Sequence, residues 1–332
     1  MERVSEPSGK FNTKPDYNSL MNYVHSPMLL VAVLAIIILS LTAASGCIQP
    51  GNFLKNSSDY YTDTQDSSYF VKASGNLLKI HIFDGTLVEN IISPDIFAEI
   101  GQYPLINYEM SRISLSKGNK NPLHILKETS ETIYIISGKA EAAVNNAYFA
   151  LSEGDSLFIP KDAFQEIKNT GNTTLLYLSI TYPPYESSSE IIADSGVSDT
   201  LPSSEYPVHI AANKSEMQVF FEDVEIRKIF DPEILKNCGI GSEFGIGVAK
   251  AKIPIESSTQ PHILEGTTEV MYILKGEGIL HVNRKVMSIK AGDTAYIPPG
   301  AYQSLENTGD TDLLYITITD PAYRESVDSS AD

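Results

Sequence analysis

The sequence predicts an all-β chain: two tandem β-barrels related by internal duplication, preceded by one hydrophobic anchor helix. Three observations carry that expectation. Residues 122–183 and 260–321 align without a gap at an offset of 138, and 26 of the 62 aligned positions are identical. A repeat of that length is a duplicated domain, because solenoid units run only ~20–50 residues. Within each copy, β-branched and aromatic runs alternate with Gly-Asp and Asn-Thr-Gly turns, the spacing of a sandwich or closed barrel. Ahead of both copies, residues 28–48 form one uncharged apolar run, close to the ~20 residues that span a bilayer.

Taken in chain order, residues 1–27 are a polar leader in which Arg3, Lys10 and Lys14 offset Glu2, Glu6 and Asp16; Met1 and Met21 are both candidate starts. Segment 28–48 contains Ala44-Ser45-Gly46-Cys47 near its end. Small residues before a Cys suit a lipoprotein processing site with Cys47 as the lipidated residue, while the length suits an uncleaved transmembrane helix. Both readings stay open. Three basic residues precede the segment and only Lys55 follows closely, which places the N-terminus inside and the domains on the extracytoplasmic side of a membrane. Residues 49–68 read as a polar linker, 69–185 as the first barrel, 186–207 as a second linker, 208–322 as the second barrel and 323–332 as a tail.

Glu131–Ser137 is apolar on both faces and closed by Gly138, which marks a buried strand and its turn. Gly154-Asp155 and Gly292-Asp293 announce strands over 156–160 and 294–298, and Asn169-Thr-Gly171 and Asn307-Thr-Gly309 announce strands over 175–181 and 313–319. Helix is expected only near 90–100 and 229–237. Cys47 and Cys238 are the only cysteines, too few for a disulfide framework. With 24 Lys and Arg against 42 Asp and Glu, the net charge is −18. Nucleic acid is therefore excluded as a partner for want of a basic footprint.

The kept residues carry a resemblance. In the second copy they are His262, Leu264, Glu269 and Gly276, then Gly292, Pro298, Gly300, Gln303 and Asn307; in the first, His124, Leu126, Glu131 and Gly138, then Gly154, Pro160, Asp162, Gln165 and Asn169. This spacing resembles the two motifs of the cupin superfamily, and its double occurrence resembles a bicupin. The resemblance covers about 200 residues in two blocks and implies jelly-roll barrels. It also implies a ligand ring of three His and one Glu for a divalent transition metal. The sequence departs from that ring twice in each copy: Leu126 and Leu264 stand where the second His belongs, and Gln165 and Gln303 where the third belongs. Asp162 additionally replaces a motif Gly.

Leucine has no lone pair and a carboxamide offers only a neutral oxygen. The residual set is thus His124, Glu131 and Gln165 in one barrel and His262, Glu269 and Gln303 in the other, with Leu126 and Leu264 making each pocket more apolar. The expected cofactor is none, or a weakly bound divalent transition metal. Without metal, Glu131 is expected to accept hydrogen bonds from His124 and Gln165, since an unpaired buried carboxylate is costly. Arg112 and Lys250 align and share a strand face with Tyr108/Ile246 and Met110/Val248. They are either cations at the barrel mouths that contact an anion or strand-end residues that snorkel to solvent.

The resulting expectation is a membrane-tethered extracytoplasmic bicupin that binds a small molecule in two metal-depleted barrels. The alternative is a metal-dependent cupin enzyme, such as a dioxygenase, decarboxylase or isomerase, using the reduced His/Glu/Gln set. No catalytic residue is assigned and the ligand is not named. A homo-oligomer is compatible, although a bicupin already pairs its barrels internally.

Overall fold

Strand exchange joins the two halves of this chain. The structure, a computed structural model, describes residues 70–72, 79–83, 85–99, 106–192, 205–215, 217–221, 223–241 and 243–330. Each half builds a seven-stranded and a five-stranded sheet with antiparallel pairing throughout. In the first half the central strands of the large sheet are Ser130–Ser137, Leu175–Tyr182 and Glu109–Leu115; in the second they are Thr268–Lys275, Leu313–Asp320 and Gly247–Ile253. These bounds keep the 138-residue offset, as do the two short helices Pro94–Glu99 and Pro232–Asn237. The second helix is set by Asp231, whose side chain accepts from the Ile234 backbone N–H, and by Pro232 in the first turn.

The strand Phe70–Lys72 precedes the first barrel in sequence but pairs with Thr294–Ile297 of the second. Its counterpart Val208–Ile210 precedes the second barrel and pairs with Ser156–Ile159 of the first. The expected boundaries at 69 and 208 therefore divide the chain but not the sheets. A sheet edge presents unpaired N–H and C=O groups, and each barrel covers one such edge with a strand from next to the other. The stretches read as linker and tail also supply edges: Glu190–Ile192 pairs with His124–Leu126, and Asp328–Ser330 pairs with His262–Leu264.

Three cores follow from strand alternation. Leu115, Ile135, Val144 and Leu157 fill the first barrel, and Ile253, Ile273, Leu280 and Leu305 fill the second. The third lies between the barrels and draws on both: Tyr108, Met110, Phe158 and Leu178 pack with Phe230, Phe244, Val248 and Ile316. Phe158 sits 5.8 Å from Phe230 and 5.4 Å edge-on from Phe244, measured between ring centroids. Both barrels belong to one compact unit.

Cys238 caps the C-terminal end of the second helix as a free, exposed thiol. The apolar segment 28–48 and Cys47 lie outside the described residues. Among the described residues no helix is long and apolar enough to cross a membrane.

Candidate functional site

Each candidate site is assembled from the two sheets of one barrel. His124 and Gln165 are cross-strand neighbours on the small sheet, as are His262 and Gln303. The period of two along His124–Leu126 and His262–Leu264 puts Leu126 and Leu264 on the same inward face as the histidines. Glu131 and Glu269 come from the large sheet. All eight of these side chains are buried.

Burial of a carboxylate requires donors, and each Glu has them. Glu269 accepts from the Gln303 amide at 2.8 Å on Oε2 and from the Thr317 hydroxyl at 2.6 Å on Oε1. Glu131 accepts from the Ser179 hydroxyl at 2.5 Å and interacts with the Gln165 amide. Burial raises the Glu131 carboxyl above its ordinary value, opposed by Ser179, the charge of His124 and Gln165. The expected Gln–Glu contacts are present, but the histidines are held differently. His124 Nδ1 lies 2.9 Å from the Pro122 carbonyl oxygen and His262 Nδ1 lies 2.8 Å from that of Gln260. A carbonyl only accepts, so Nδ1 carries a proton, and in the neutral ring Nε2 is then the nitrogen that keeps a lone pair. Ser179 and Thr317 are members of the site that motif reasoning missed. Their signal was a hydroxyl kept at the 138-residue offset on the inward strand face, a signal that Thr181 and Thr319 share.

Arg112 and Lys250 stand elsewhere. Arg112 pairs across the sheet with Leu178, which faces the inter-barrel core, whereas Ser111 pairs with Ser179, which faces Glu131. The guanidinium donates to Glu89 at 2.7 Å and to Tyr272 of the other barrel at 3.1 Å. Lys250 pairs with Ile316 on the corresponding face, where burial lowers its ammonium and Glu153 of the first barrel opposes that. The shared strand face was read correctly, but it is the face between the barrels. Neither cation projects on the Glu face.

The remaining pocket residues differ between the copies. The second barrel encloses a cavity of about 100 Å³ beside His262, Leu264, Glu269 and Thr317, widened by Gly247 and Ala249 and walled by Phe220 and Phe221. Phe221 lies 5.4 Å from the His262 ring. In the first barrel the places of Gly247 and Ala249 are taken by Glu109 and Ser111. Glu109 accepts from Asn90 at 3.1 Å and from Ser111 at 3.2 Å, and burial pushes its carboxyl up to about 7.

The donor set does not fit the metal ring that the motif implies. A buried leucine fills one ligand position, a carboxamide fills another, and the carboxylate already accepts from a hydroxyl and an amide. Among the described residues no group of three or more His, Cys, Asp or Glu side chains is placed to hold a metal ion.

Comparison with known proteins agrees with the fold. The sequence pattern of the Cupin domain matches residues 111–181 and 251–319, one block in each barrel, which supports a bicupin architecture. An oxalate-binding protein of Thermotoga maritima is 46% identical over 70 residues, which are 21% of this chain and 58% of that relative. An uncharacterised protein of Methanocaldococcus jannaschii is 28% identical over 102 residues, 31% of this chain and 77% of that protein. In three dimensions the chain resembles an oxalate decarboxylase of Lactobacillus farciminis (TM-score 0.60, 16% identity, 78% of this chain and 88% of that one). It also resembles the protein Ylba from E. coli (TM-score 0.58, 16% identity, 80% of this chain and 95% of that one). At such identities the structural likeness establishes the fold.

Proposed function

We propose that this chain is a small-molecule-binding bicupin whose two barrels are metal-depleted, held outside a membrane by its N-terminal segment. One observation carries the binding reading: buried Leu126 and Leu264 stand in the ligand ring while each neighbouring carboxylate is held by protein donors. A protein whose buried acid is paired without an ion has no need of one for stability. The names of the oxalate-binding and oxalate decarboxylase relatives support a small molecule as the ligand. The tether rests on residues 28–48 and Cys47 alone.

The enzyme reading has one supporting feature, the Nε2 lone pair that Nδ1 anchoring leaves on each histidine. Elemental analysis of protein purified without a metal-binding tag separates the two. The binding reading expects far less than one transition metal ion per barrel and no thermal stabilisation by Mn²⁺, Fe²⁺, Zn²⁺ or Ni²⁺. Near-stoichiometric metal that disappears in the combined His124→Ala and His262→Ala variant would reinstate the enzyme.

A further inference from the structure

The cavity of the second barrel has a chemistry of its own. Its charged lining is Glu269, Asp231 and Asp328 against a single cation, Lys228. Lys228 is itself held by Asp231 at 3.7 Å, so the cavity presents an excess of negative charge. The dispositions of the other acceptors point the same way. In its neutral form His262 offers Nε2 as an acceptor, because Nδ1 is committed to the Gln260 carbonyl. Gln303, 1% exposed, stands behind Glu269 and orients it through its amide nitrogen without lining the cavity itself. Each carboxylate retains lone pairs beyond those in use. The site is therefore rich in acceptors beside a void.

The walls are aromatic and aliphatic: Phe220, Phe221, Phe230, Met271 and Tyr315. Aromatic faces attract a cation and repel an anion through the ring quadrupole. A small dianion entering this cavity would meet carboxylates and ring faces, with no arginine among the lining residues. A cavity of ~150 Å³ admits benzene; one of about 100 Å³ takes a molecule of roughly four non-hydrogen atoms by the same scale.

We infer that the second barrel binds a small organic ammonium ion. Its N–H groups point at Glu269 and Nε2 of His262, and its alkyl part lies against Phe220, Phe221 and Met271. This deepens the small-molecule reading and rests on it. The first barrel does not repeat this lining, because Glu109 and Ser111 stand where Gly247 and Ala249 line the cavity.

The test is isothermal titration of the purified full-length protein with protonated ethanolamine, protonated propylamine and, separately, oxalate, at one pH and ionic strength. The inference expects saturable binding of both amines at one site per chain and no binding of oxalate to that site. Glu269→Gln, which keeps the shape and removes the charge, is expected to weaken amine binding at least tenfold. Ala249→Leu fills the void while leaving every charged and hydrogen-bonding residue of the lining in place, and is expected to abolish binding even if Glu269→Gln fails to fold. The exposed Glu306→Gln controls for a general loss of surface charge and is expected to change the affinity less than twofold. Binding of oxalate in place of the amines overturns the inference and leaves the small-molecule reading standing. Amine binding unaltered by both pocket variants, or no amine binding by the native chain, overturns it as well.

Discussion

The two barrels share a backbone and differ in what they enclose. Strand for strand they follow one offset, and in both a buried Glu is met by a Gln amide and a hydroxyl. Around that common centre the first barrel carries Glu109, Ser111 and Asn90 where the second carries Gly247, Ala249 and Lys228. The first copy thus sets a second carboxylate with its own donors beside the centre, and the second has a void walled by phenylalanines there. Duplication preserved the residues that hold the carboxylate while the residues opposite it diverged.

Restoring the lost imidazoles should produce the largest change and ask whether the two centres are equivalent. Leu264→His with Gln303→His, and Leu126→His with Gln165→His, are each expected to raise bound transition metal from far below one ion to near one ion in the altered barrel, read by elemental analysis. If neither pair binds metal, these positions do not form a ligand ring and the correspondence between the barrels is wrong at its centre.

Next in size is the core that the barrels share. Phe230→Ala removes an aromatic fully buried against Phe158 and is expected to cost ~3–5 kcal/mol. The urea transition should move to lower denaturant as a single step. Two separate transitions would show that the barrels are stable independently and that their contrast is one between autonomous domains.

A smaller effect distinguishes the barrels by pH. The Glu109 carboxyl is raised from 4.5 to about 7 by burial, so between those values the folded state holds a proton that the unfolded state has released. Stability therefore falls as pH rises through that window. In Glu109→Gln the slope should shrink, leaving the part due to Glu131, whose carboxyl burial also raises. Urea midpoints at several pH values measure it; an unchanged slope would mean that Glu109 is better solvated than its position implies.

The smallest test concerns a turn. Gly300 has φ +73 and Asp162, its counterpart, has φ 63, the left-handed region where a Cβ is costly. A Cβ on Gly300 would meet nothing nearer than Glu265 Oε2 at 3.8 Å, so Gly300→Ala should cost only the conformational ~1 kcal/mol. Asp162→Gly should gain less than that, because Asp162 Oδ1 accepts from the Glu128 backbone N–H at 3.3 Å and part of the strain is already compensated.

The sequence by itself was enough for the duplication, the strands around each Gly-Asp and Asn-Thr-Gly turn, and the set His124, Leu126, Glu131 and Gln165 with its repeat partners. All of these rest on local spacing, where period and turn chemistry dictate which side chains share a face. The anchor expected at 28–48 lies outside the described residues. Tertiary structure decided what spacing cannot encode. It directed Arg112 to Glu89 and Tyr272 rather than a barrel mouth, and it exchanged the strands at 70–72 and 208–210 between barrels. It also brought Ser179 and Thr317 to carboxylates 48 residues earlier in the chain. Those contacts join residues distant in sequence. Which side of a strand meets a ligand and which meets the other barrel depends on the partner sheet, and alternation along one strand is the same for both.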